Sequence, residues 1–108
     1  MGKAALTRRA STLGGLEPWL RPYAEALVQL GGAQVSVTSA RRTWGQQLRL
    51  WLNRWRNPYP VAPPGQSYHE YGRAFDLAGP PELLHRLGAV WRSWGGTWYP
   101  SDQIHFQA

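Results

Sequence analysis

Apolar residues recur at helical spacing in three stretches of the chain, and short alternating runs lie between them. In "LEPWLRPYAEALVQLGG", Leu20, Tyr23, Leu27 and Leu30 mark one face of a first helix. Pro18 suits its first turn, and Gly31-Gly32 end it. "AQVSVTS" alternates Val35 and Val37 with polar residues and predicts a strand. A second helix is expected over "TWGQQLRLWLNRW", with Thr43 near its N-cap and Leu48, Trp51, Leu52 and Trp55 on a core-facing side. "NPYPVAPPGQS" is a loop, with four prolines and a glycine. "RAFDL" predicts a short strand, and Pro80-Pro81 open a third helix over "PELLHRLGAVWRSW", stopped by Gly95-Gly96. "TWY" and "IHF" are expected to close the fold as two strands joined by "PSDQ". Helices grouped against a few short strands make an α+β fold, a small antiparallel sheet flanked by about three helices.

At 108 residues one domain, 1–108, is expected, with no repeat and no separate second domain, and the polar, basic residues 1–12 are expected to be mobile. There is no cysteine, which excludes disulfides and thiolate metal sites and leaves His, Asp and Glu as ligands. The N-terminus has no long apolar run, so neither a secretory signal nor a membrane span is expected. A protein made this way in the cytoplasm needs another route to act outside it. The formal net charge is +6, almost all from arginines spread along the chain. That balance favours polyanions such as wall polymers, but no dense basic block resembles a nucleic-acid arm. A specific nucleic-acid partner is not expected, and a monomer is.

The candidate chemistry lies in "SYHEYGRAFDL", which places His69, Glu70 and Asp76 around Gly72. Gly72 can let the backbone double back so that His69 and Asp76 face one point. Two imidazoles and one carboxylate, with His105 from the last strand, suit a catalytic zinc ion that keeps one open position. Asp102 lies three residues before His105, and a regular strand would point the two opposite ways, so the "PSDQ" turn must redirect it. The spacing alone does not separate such a site from unrelated histidines in an aromatic-rich chain. Glu70 is a rival base and His85 a rival ligand, each read more simply as a surface or supporting group. Trp98 and Phe106 read as core, and Trp44 stays open.

These residues carry a resemblance. "SYHEYGRAFD" is similar to the Ser-x-His-x-x-Gly-x-Ala-x-Asp motif of zinc peptidases that cut peptidoglycan stem peptides. These are the D,D-carboxypeptidases and dipeptidases and the L-alanyl-D-glutamate endopeptidases of phage endolysins, of the Hedgehog/DD-peptidase fold. "GGTWYPSDQIHFQ" resembles the closing segment of that family and "VTSARRTWGQQLRLW" its first, in the right order over roughly residues 13–107.

The resemblance implies one catalytic Zn2+ held by His69, Asp76 and His105, with Asp102 as general base and Arg42 polarising the substrate carbonyl or holding a carboxylate. Ser67, Gln47, Arg41 and Tyr68 are implied at the substrate cleft. Ala40-Arg41 replace the family's Gly-aromatic pair, so either Arg41 or Arg42 can be the arginine that reaches the site. The implied substrate is a peptidoglycan stem peptide, and an Asp at position 102 favours the L-alanyl-D-glutamate branch, with host-wall lysis after release if the chain is phage-derived. A D,D-carboxypeptidase, a non-catalytic zinc module of the same fold and a basic nucleic-acid binder are the alternatives.

Overall fold

The structure is a computed structural model that describes residues 13–108, so the expectation for residues 1–12 lies outside the described residues. Three α-helices are complete within that range: α1 (Arg21–Gly31), α2 (Trp44–Leu52) and α3 (Pro81–Ser93). Three strands, β1 (Ser36–Ser39), β2 (Ala74–Ala78) and β3 (His105–Gln107), form one antiparallel sheet in the order β1-β2-β3. The α+β class, a small antiparallel sheet with three helices, therefore matches the expected pattern.

β2 is the central strand and is buried from Ala74 to Leu77. Its register pairs Phe75 with Phe106 and Asp76 with His105 on one side. On the other side Val37 pairs with Leu77 and Ser39 with Asp76, across an irregularity that re-aims the end of β1. Alternation then puts Phe75 and Phe106 on the core face and Asp76 and His105 on the opposite face. Phe75 stacks on Phe106 at 5.5 Å between ring centroids and meets the edge of Trp91 from α3 at 5.2 Å. Gly88 on α3 makes room for Trp98: a Cβ there would come within 2.2 Å of the indole. Trp98 and Phe106 are both core residues, as expected.

Four details differ from the sequence pattern. The first helix begins at Arg21, with Pro22 rather than Pro18 in its first turn. Its buried face is Leu20, Ala24, Leu27 and Val28, while Tyr23 and Leu30 are exposed. Both sets have helical spacing, and Tyr23 sits at the rim against Trp94, where its hydroxyl stays wet. "TWY" is not a strand. Thr97 makes a single bridge to Gln107, after which Pro100 starts a 3-10 turn (Pro100–Asp102), and Trp98 donates Nε1–H to the carbonyl of Gln103 at the end of that turn, 2.9 Å away.

The largest departure is α2. Its N-terminus is a capping box between Thr43 and Gln46, as Thr43 suggested. Its buried residue, however, is Gln47, and the expected core face is turned outward: Leu52 and Trp55 are exposed and Leu48 and Trp51 only half-buried. The surface that α2 covers is polar. Gln47 Nε2 donates to the Ala62 carbonyl at 2.8 Å, and its Oε1 accepts from Arg42. On that buried side the Gln47 amide is paired at both ends, which avoids the cost of about 1–3 kcal/mol for each unpaired buried polar atom.

Candidate metal centre

His69, Asp76 and His105 converge. His69 is in the 3-10 turn Tyr68–Tyr71, whose capping box is built by Ser67 and Glu70: Ser67 Oγ accepts from the His69 N–H, and Glu70 accepts from the Ser67 N–H. Gly72 follows at φ 68°, the left-handed region, and a Cβ there would lie 2.9 Å from the Gly15 carbonyl oxygen. The chain reverses at Gly72 and enters β2, which brings Asp76 back to His69. His105 is the direct cross-strand neighbour of Asp76.

The three candidate donor atoms form a triangle. His69 Nε2 and His105 Nδ1 each lie 3.2 Å from Asp76 Oδ1 and 3.2 Å from each other. The other ring nitrogens have partners that fix the tautomers. His69 Nδ1–H donates to the Ala40 carbonyl at 2.7 Å, and His105 Nε2–H donates to Gln107 Oε1 at 2.7 Å. Both lone pairs left over therefore point into the triangle. A tetrahedral zinc ion with bonds of about 2.0–2.1 Å sets its ligands about 3.3–3.4 Å apart, so the triangle is consistent with one Zn2+.

Electrostatics agree. Burial pushes the Asp76 carboxyl up, but hydrogen bonds and charge from His105 and His69 outweigh it and hold the group well below the usual carboxylate range. Burial lowers His105, and its hydrogen bonds to Asp76 and Gln107, with the charges of Asp76 and Asp102, more than reverse this.

No protein-family model and no curated protein matches the sequence. Solved structures do match the fold. The vancomycin-resistance D,D-dipeptidase VanXYg, in complex with a D-Ala-D-Ala phosphinate analogue, superposes with a TM-score of 0.69 at 14% identity, over 85% of this chain and 49% of its own. The Serratia marcescens L-Ala D-Glu endopeptidase ChiX gives 0.67 at 17% identity, over 94% and 86%. A mutant of the D,D-pentapeptidase VanY from the VanB-type resistance cassette, in complex with Zn(II), gives 0.63 at 19% identity, over 85% and 71%. This is the D,D-peptidase fold. The chain spans about half the length of VanXYg.

Within that D,D-peptidase fold, the triad lies on a cavity of about 350 Å³ that Arg42, Gln47, Ser67, Tyr68, Tyr99 and Asp102 also line. The 3-10 turn Pro100–Asp102 supplies the redirection that Asp102 needed. Burial raises the Asp102 carboxyl; His105 and His69 oppose the rise and Asp76 adds to it. Of the two arginines, Arg42 reaches the triad. Its Nη2 donates to Asp76 Oδ2 at 2.9 Å, Nη1 to Gln47 Oε1 at 3.3 Å and Nε to Ser39 Oγ at 3.0 Å. Arg41 is exposed and lines two neighbouring cavities instead. Glu70 is occupied as a loop clamp, accepting from the Gly65 and Ser67 N–H groups, and His85 lies edge-on to Trp98, outside the triad's cavity.

Sequence reasoning missed the Ala40 carbonyl, Gln107 and Ser39. Only Gln107 left a trace: it sits two residues after His105, on the same face of a strand.

Proposed function

We propose that the protein is a zinc-dependent hydrolase of peptidoglycan stem peptides, and more specifically an L-alanyl-D-glutamate endopeptidase. The observation that carries the first part is the 3.2 Å triangle of His69, Asp76 and His105 on a cavity shared with a carboxylate, Asp102. Zinc bound there supplies a Lewis acid that polarises a peptide carbonyl and acidifies water. Asp102 accepts the proton of the attacking water and returns it to the leaving amine. Arg42 holds Asp76 with one nitrogen. Three of its five N–H groups are in use, leaving two to meet a substrate oxygen.

The choice of bond rests on the cleft. The triad's cavity shares Arg42, Leu50, Asn57 and Tyr59 with a neighbouring cavity of about 870 Å³. An endopeptidase requires a cleft that runs on past the triad, and this adjoining cavity supports that reading. A carboxypeptidase needs a cation that stops the chain at its terminal carboxylate. Among the described residues Arg42 is the one arginine lining the triad's cavity and its charge is already paired with Asp76, while Arg73 lies outside the cavity, donating to the Ala108 carbonyl. The likeness to ChiX, an L-Ala D-Glu endopeptidase, supports the same choice, while VanXYg and VanY are D,D-peptidases.

Digestion of purified peptidoglycan by the zinc-loaded protein, followed by mass spectrometry, tests both parts. New N-terminal D-glutamate on released peptides is expected. Free D-alanine with the L-alanyl link intact overturns the endopeptidase assignment, and no cleavage at all overturns the hydrolase.

A further inference from the structure

The outward face of α2 has no role in the triad. Trp44, Leu48, Trp51, Leu52 and Trp55 follow one another at i, i+4, i+7, i+8 and i+11, which puts them along one side of the helix and the turn that continues it. Trp55 is 71% exposed, Trp44 59% and Leu52 54%. Arg54 borders the stripe on one side, its guanidinium 4.0 Å over the Trp51 ring, and Arg49 and Arg56 border it on the other, where they also line the cavity of about 870 Å³. Residues 26–69 hold five arginines and no aspartate or glutamate.

We propose that this face is an interfacial anchor that lies on a bilayer rich in anionic phospholipid. Tryptophan rings favour the headgroup level, and arginines at the border reach lipid phosphates while their stems cover apolar surface. No described helix is long and apolar enough to cross a membrane, so α2 lies on the surface and does not span it. A hydrophilic polyanion would engage the arginines but leave Trp44, Leu52 and Trp55 in water. A second copy would bring two sets of like charges together. Anionic lipid answers both the apolar stripe and its border, and it does so whether or not the triad hydrolyses a peptide.

Vesicle co-sedimentation and tryptophan emission test the proposal with the zinc-loaded chain. Vesicles of equal parts phosphatidylglycerol and phosphatidylcholine should bind the protein and shift its emission to the blue. Pure phosphatidylcholine should bind about a hundredfold more weakly, from roughly fivefold for each of three arginines. The combined variant Trp44→Ser, Leu52→Ser, Trp55→Ser should lose at least about tenfold in partitioning, with unchanged circular dichroism and zinc content. Arg49→Gln with Arg56→Gln should lose about 25-fold on the anionic vesicles alone; this second variant decides the matter if the first does not fold. Three results overturn the proposal: no partitioning; partitioning that survives both variants; or a dimer in sedimentation equilibrium that the serine variant dissolves, which would assign the stripe to a second copy.

Discussion

The two walls of the cleft are built on opposite terms. The sheet wall presents Asp76 and His105 on one face, while Phe75 and Phe106, one residue away in each strand, are fully buried against Trp91. Its ligands inherit the rigidity of a packed core. The α2 wall is held by polar contacts: Gln47 bridges the Arg42 guanidinium and the Ala62 carbonyl, and the apolar side of the helix faces outward. Chemistry sits on the wall backed by hydrophobic packing. Positioning and surface contact belong to the wall held by hydrogen bonds.

Substitutions can break this contrast. Phe75→Ala should have the largest effect, lowering stability by about 3–5 kcal/mol in chemical denaturation, because it empties the layer beneath both sheet ligands. A loss below about 1 kcal/mol would mean the sheet wall is not core-backed. Asp102→Asn should leave zinc content and stability near normal and lower turnover by about a hundredfold or more. Retained turnover in that variant, with loss in Glu70→Gln, would move the base to Glu70. Arg42→Ala should weaken zinc binding by about 10–100-fold, in the range of lost hydrogen bonds to a metal-holding carboxylate; competition with a chromophoric chelator measures it. Trp55→Ser, on the outward side of α2, should change stability by no more than about 0.5 kcal/mol.

Proton linkage sharpens the sheet side further. In the metal-free protein, His105 titrates above its ordinary value of 6.5. Its protonated form is therefore favoured by folding. That contribution is fully present below pH 6.5 and disappears as pH rises through the raised value. Metal-free melting temperatures should accordingly fall across that range. Stabilisation by added zinc should grow across the same range, since the ion needs the unprotonated imidazole. A zinc effect that declines with rising pH would place the ion away from His105.

Much of this architecture was legible in the chain because local rules govern it. The three helices, the β1–β2–β3 strands and the reversal at Gly72 follow from periodicity, capping and a glycine that a left-handed turn requires. The triad was legible through motif resemblance, since His69 and Asp76 alone are too sparse a signal. The exposed side of α2 was not legible. Periodicity says which residues share a face, but not whether the neighbouring surface is apolar. Here that surface is the Arg42–Ala62 side of the cleft, and only tertiary structure reveals that Gln47 is the residue to bury. "TWY" failed for a related reason: alternation suggested a strand, but Pro100 and the turn that aims Asp102 end the pairing after Thr97.

In the proposed reading His69, Asp76 and His105 hold one zinc ion, and hydrolysis depends on it. That dependence is read by titrating the metal-stripped protein with zinc while following release of peptides from purified peptidoglycan. Activity should be absent at the start, rise linearly and level off at one equivalent, with no rise in His69→Ala. Full hydrolysis by the metal-stripped protein, or an unaltered titration in His69→Ala, would rule out a catalytic ion at the triad.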